Sequence, residues 1–238
     1  MCWNAHTSFT TLGIGTFLNL LSYYILVKRN SPVAVFVWAW QYALLMQIPE
    51  GIAWTQLNNA DTETSVVSRI AMLLNVTQPI ALFVTTRASG LKGTIKYGHV
   101  ALFMYLLLIA SEANEIWDLS SSIAPEEGCP HLNLGFWNTS RGLSYVFASL
   151  FVISEIRLVY WAIINVSIFL TSLILSLTLY TCGIGSVWCW LIFMTGPILV
   201  SADILQTNCV RVLTGRGFMK ETPKQVQGVA PKFHVSPL

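Results

Sequence analysis

The chain has 238 residues, of which 54% are hydrophobic and only 10% charged, against about 25% charged in soluble domains. A soluble fold of this size has too little interior to hide so much apolar surface, so the composition calls for a lipid bilayer as partner. The net charge of +2 provides no electrostatic footprint for nucleic acid.

Seven apolar segments can be marked, over about 9–27, 33–56, 68–86, 98–116, 139–156, 158–180 and 184–206. Backbone amides in hydrocarbon need internal partners, which predicts helices. The runs do not alternate with period two, which argues against a barrel. The expected fold is all-α, a polytopic membrane protein of seven transmembrane helices over residues 1–206, with a disordered basic cytoplasmic tail over 207–238.

The first segment has no Lys or Arg before it and ends at Lys28-Arg29, the pattern of an N-out anchor rather than a secretory signal. The second contains Gln41, Gln47 and Glu50. Trp40, Ala43, Gln47, Glu50 and Trp54 share one helix face. A carboxylate in hydrocarbon costs at least about 3 kcal/mol on insertion scales, so Glu50 should face other helices or water. Pro49, Pro79 and Pro197 fall inside the second, third and seventh segments, each removing an amide hydrogen bond, and are candidate hinges.

Asn75 and Gln78 in the third segment come at about the depth of Glu50. Glu112 and Glu115 close the outer end of the fourth, and Arg141 opens the fifth. An outer polar cluster of Glu50, Asn75, Gln78, Glu112, Glu115 and Arg141 is therefore expected. Glu50, Gln47, Asn75 and Gln78 are the candidate substrate-binding groups. A set of interhelical hydrogen bonds, worth about 0.6 kcal/mol each, is the structural alternative. At the inner end, Asn165, Glu155, Asp203 and Gln206 form a looser group, either an ion-pair gate or boundary residues reaching water. The fifth and sixth segments are separated only by Glu155-Ile156-Arg157. One helix from 139 to 180 would be about 63 Å long, twice the hydrocarbon thickness, so a reversal is expected there.

Eleven of the thirteen Lys and Arg follow the first, third, fifth and seventh segments, leaving Arg69 and Arg141 opposite. The positive-inside rule then places the N-terminus outside and the C-terminus in the cytoplasm. The outer loops are acidic (Asp61, Glu63, Asp118, Glu126, Glu127), as ordinary solvated loops also are. The loop 117–138 leads into Asn138-Thr139-Ser140, a glycosylation sequon. Cys2, Cys129 and Cys182 fall on the exterior side, where a disulfide or free thiols are both open. Cys209 is a palmitoylation candidate.

A repeat is visible. Trp3-Asn4-Ala5-His6-Thr7-Ser8 precedes the first segment and Trp137-Asn138-Thr139-Ser140 the fifth. Thr77-Gln78-Pro79-Ile80 lies in the third, and Thr195-Gly196-Pro197-Ile198 in the seventh. The slots match a 3+1+3 parallel repeat, in which a solute site lies near the midplane between the halves.

Catalytic signatures are lacking. No lysine for retinal lies in 184–206. His6, His99, His131 and His234 are scattered, and no His-x-x-x-His, Cys-x-x-Cys, Gly-x-Ser-x-Gly or P-loop occurs. No enzyme activity, metal or cofactor is expected.

Met1-Cys2-Trp3-Asn4-Ala5, the stretch Leu45-Met46-Gln47-Ile48-Pro49-Glu50-Gly51-Ile52-Ala53-Trp54 and Gln78-Pro79-Ile80 resemble a family of uncharacterised multipass proteins of protists and large DNA viruses. Its members begin Met-Cys-Trp-Ser-Ala and carry Gln-x-x-Glu-x-x-x-Trp in the second helix. The resemblance covers roughly residues 1–210 and implies a membrane fold but no activity. In span count and repeat the chain also resembles the PQ-loop/SWEET architecture, although the Pro-Gln order is reversed in Gln78-Pro79. The leading expectation is transport of a small polar solute or cation. The other is a receptor-like or scaffolding membrane protein. A homo-oligomer is compatible with both.

Overall fold

A computed structural model describes residues 4–58, 65–90, 97–118, 122–126, 129–133, 139–156, 159–179 and 193–214. In chain order the helices are α1 (Ala5–Lys28), α2 (Phe36–Leu44), α3 (Gln47–Asn58), α4 (Ser65–Ala88), α5 (Tyr97–Ser111), α6 (Ala113–Asp118), α7 (Thr139–Ser154), α8 (Val159–Leu179) and α9 (Thr195–Thr214). The apolar segments are mainly helical over their described residues, as expected. Among the described residues an antiparallel hairpin in the predicted outer loop is added to the helices. Its strands, β1 (Ser122–Glu126) and β2 (Cys129–Asn133), pair from Ser122 with Asn133 to Glu126 with Cys129.

Local chemistry sets the helix limits. Asn4 caps α1, its Oδ1 accepting from the Thr7 amide at 2.8 Å. After Lys28 the chain turns through Asn30 at φ 53°, a left-handed conformation that asparagine tolerates better than most residues. Pro32 then opens a 3₁₀ turn, Pro32–Val35, that leads into α2.

The second segment departs from expectation: it is not one helix over 33–56. It breaks at Leu45-Met46, and Pro49 is the reason. A proline at 49 has no amide for the Leu45 carbonyl and its ring crowds that oxygen. The Leu45 carbonyl takes the Ile48 amide instead, at 3.0 Å, and Met46 N–H reaches back only to Ala43, at 3.2 Å. Pro79, by contrast, lies within an unbroken α4. Pro197, like Pro49, is the third residue of its helix, here α9, in a first turn whose amides need no intrahelical partner. The last helix also runs to Thr214, beyond the expected span end at 206, so the first residues assigned to the disordered tail are helical. The rest of that tail and residues 180–192 lie outside the described residues, as does Arg157. The expected reversal is found: α7 ends at Ser154, Glu155 lies in a turn, and α8 begins at Val159.

Helices α1 and α2–α3, α4 and α5–α6, and α5 and α7 run antiparallel. Antiparallel pairing of α1 with α2–α3 is marked by Gly51 against Phe9 and Gly15 against Leu44. Pairing of α4 with α5–α6 is marked by Arg69 with Trp117, Val76 with Tyr105 and Arg87 with His99. The fifth and seventh helices pair through Glu112 with Arg141 and Gly98 with Glu155. Helix α9 runs parallel to α1, with Gly196 against Asn19 and Asp203 against Arg29. One end of the bundle therefore gathers Glu112, Glu115 and Arg141, and the other Arg29, Arg87, His99, Glu155 and Asp203.

Helix α1 is inside out by the standards of a water-soluble fold. Its buried face is Ser8, Thr11, Gly15, Asn19, Ser22 and Leu26, while Phe9, Ile14, Phe17, Leu20, Leu21 and Tyr24 are exposed, Phe17 by 66%. By length and composition Ala5–Lys28 and Val66–Ala88 could each cross a membrane. Tyr97–Ser111, Arg141–Ser154 and Tyr160–Thr171 are shorter apolar helices.

Candidate functional site

The interior holds a ladder of polar side chains. At the helix break, Gln47 and Glu50 are both buried, and the Gln47 amide donates to Glu50 Oε2 at 3.1 Å. The break places these residues in the first turn of α3, where amides without intrahelical partners favour negative charge. Trp40 and Trp54 flank them along the chain. Both are buried, and neither indole N–H has a hydrogen-bond partner among the described residues.

The expected Asn75–Gln78 pair is present and extends further. Gln78 Nε2 donates to Asn75 Oδ1 at 3.4 Å, and the Tyr145 hydroxyl donates to Gln78 Oε1 at 2.6 Å, tying α4 to α7. Tyr105 of α5 donates to the Val76 carbonyl at 3.2 Å, one residue past the Asn75 carbonyl that Pro79 leaves without an amide. Tyr42 of α2 meets Thr77 of α4 at 2.5 Å. None of these tyrosines stood out in the sequence, because a tyrosine in an apolar run reads as packing. Between α1 and α2, Asn19 donates to Gln41, which donates to Thr16, both at 3.0 Å.

The outer cluster closes as expected at its charged end. Arg141 is 1% exposed; its Nε bonds Glu112 Oε2, and a terminal nitrogen lies 2.7 Å from Glu115 Oε2. The described bonds thus fall into three sets: Gln47 with Glu50, Asn75 with Gln78 and Tyr145, and Arg141 with the two glutamates.

The other end carries ion pairs whose basic partners were not anticipated. Asp203 accepts from Arg29 Nε and Ser31 Oγ, each at 2.6 Å, joining α9 to the end of α1. Glu155, 1% exposed, accepts from Arg87 at 2.7 Å and lies 3.2 Å from His99 Nδ1, joining α4, α5 and the turn after α7. Burial by itself would raise the Glu155 carboxyl. Its hydrogen bond and charge pairing with Arg87, the charge of His99 and the Gly98 amide outweigh burial and hold it below the ordinary value of 4.5. Asn165 does not join these pairs; it is buried and donates to its own helix at the Trp161 carbonyl, 2.9 Å away. Gln206 is half-buried.

Cavities open between the described helices. One, of about 540 Å³, runs between α4 and α5–α6. Another, of about 190 Å³, is lined by His6, Thr7, Thr10, Thr11, Ile14 and Phe193. Among the described residues no group of three or more His, Cys, Asp or Glu could hold a metal ion.

No family model matches this chain, and comparison with curated proteins and with solved structures finds no similar protein.

Proposed function

We propose that the chain is a multi-pass integral membrane protein of seven spans, N-terminus outside and C-terminus in the cytoplasm, that moves a small polar solute or cation past Glu50. The membrane part rests on α1: small and polar residues turned inward and large apolar ones outward suit lipid, where close helix approach replaces the hydrophobic drive to bury apolar groups. The transport part rests on one observation, a buried carboxylate beside a buried amide at a proline-induced helix break. Discontinuous helices present backbone and side-chain groups to solutes in this way in secondary transporters. On this reading Arg141 with Glu112 and Glu115 closes the outer end, and Arg29–Asp203 with Arg87–Glu155 closes the cytoplasmic end, an occluded arrangement. Pro49 is the best-supported hinge of the three.

The test is proton flux into proteoliposomes holding a pH-sensitive dye, driven by a potassium diffusion potential. Glu50→Gln keeps shape and removes the titratable group, so it should abolish the flux. Flux through Glu50→Gln equal to that of the unaltered protein rejects the role. The second reading, a receptor-like or scaffolding bundle, is favoured by the interhelical bonds of Tyr145 with Gln78 and Tyr42 with Thr77, and predicts no flux in either protein.

A further inference from the structure

The 540 Å³ groove between α4 and α5–α6 is apolar but for one cation. Its walls include Ile70 and Leu73 of α4 and Leu106 and Ala110 of α5, with Arg69 and Trp117 at one end. Its volume lies within the range of about 300–1,000 Å³ usual for small-molecule sites. Along α4 it reaches from Val66 to Val76, about 15 Å at 1.5 Å per residue. That is half of a hydrocarbon core about 30 Å thick, the depth of one leaflet.

Arg69 lies at the Arg141 end of the bundle, about one turn into α4. Its guanidinium stacks 4.6 Å from the Trp117 ring centroid, and its Nε donates to the Trp117 carbonyl at 3.1 Å. Among the described residues the two terminal nitrogens, the pair that grips phosphate in a bidentate manner, have no bonded partner. Arg141, the other cation of that end, is buried and held by two carboxylates. A tryptophan and an arginine at the mouth of a leaflet-deep apolar groove match a lipid's interface and phosphate.

We propose that this groove is a phospholipid site of the outer leaflet, with an acyl chain along Ile70, Leu73, Leu106 and Ala110 and the phosphodiester on Arg69. It rests on the membrane reading but not on transport. The full chain, washed free of lipid in mild detergent, is offered phosphatidylcholine, diacylglycerol with the same chains, or inorganic phosphate, and bound adducts are read by native mass spectrometry.

Phosphatidylcholine should bind the unaltered protein and be lost from Ala110→Trp, which fills the groove. Leu73→Trp blocks the same groove from the facing helix should Ala110→Trp fail to fold. Arg69→Gln should weaken binding about tenfold, the loss of one charge-assisted contact. Diacylglycerol should bind as weakly to the unaltered protein as phosphatidylcholine does to Arg69→Gln, and phosphate alone should not bind. Equal retention by the groove-filling variants, equal binding of diacylglycerol, or binding of free phosphate would each overturn the proposal. Extraction of the expressed protein from membranes by alkaline carbonate would sink the membrane reading instead, so the two failures are distinguishable.

Discussion

Glu155 shows how much a single side chain can hold. It is almost wholly buried, faces Arg87 and His99, and joins three helices. Because its folded-state carboxyl lies below 4.5, the folded state binds its proton less readily than the unfolded chain. Its contribution to stability is therefore complete above about pH 4.5 and lost as pH falls through the lower folded value. Thermal unfolding in detergent at a series of pH values should show this acid loss, and Glu155→Gln should flatten it. Glu155→Gln should also cost about 1–3 kcal/mol at neutral pH, since Arg87 loses its charged acceptor. Gly98 belongs to the same contact. A Cβ there would meet Glu155 Oε1 at 2.8 Å, so Gly98→Ala should lower the midpoint at neutral pH much as Glu155→Gln does. A midpoint unchanged by Gly98→Ala would show that the turn yields freely.

At the scale of the element, the α2–α3 break is the feature that sets Glu50 in place. Pro49→Ala restores an amide for the Leu45 carbonyl and removes the ring that crowds it. The two helices should then align. Spin labels at Trp38 and Ile52, both exposed, should move apart, as read by pulsed electron resonance; an unchanged distance would place the cause of the break elsewhere. The proline itself was plain in the sequence. The position of the break, four residues earlier, follows from where its missing hydrogen bond should have ended. Pro197 was read as the same device, and like Pro49 it stands third in its helix, after a two-residue turn; the residues before Phe193 lie outside the described ones.

For the whole molecule, the proposed topology predicts that tags at the two termini lie on opposite faces of the membrane, the N-terminal one accessible from outside intact cells. Equal accessibility of both would overturn an odd number of spans. The sequence alone determined the helical character of the apolar segments, the burial of Glu50 and the placing of Arg141 at the level of Glu112 and Glu115. Each of these depends on period, segment length or depth, which are arithmetic along a chain with a fixed rise per residue. Tertiary structure alone decided the partners at the other end. Arg29 and Asp203 are 174 positions apart and Arg87 and Glu155 are 68. Depth could place these charges at one level, but only the lateral order of the helices determines which of them touch.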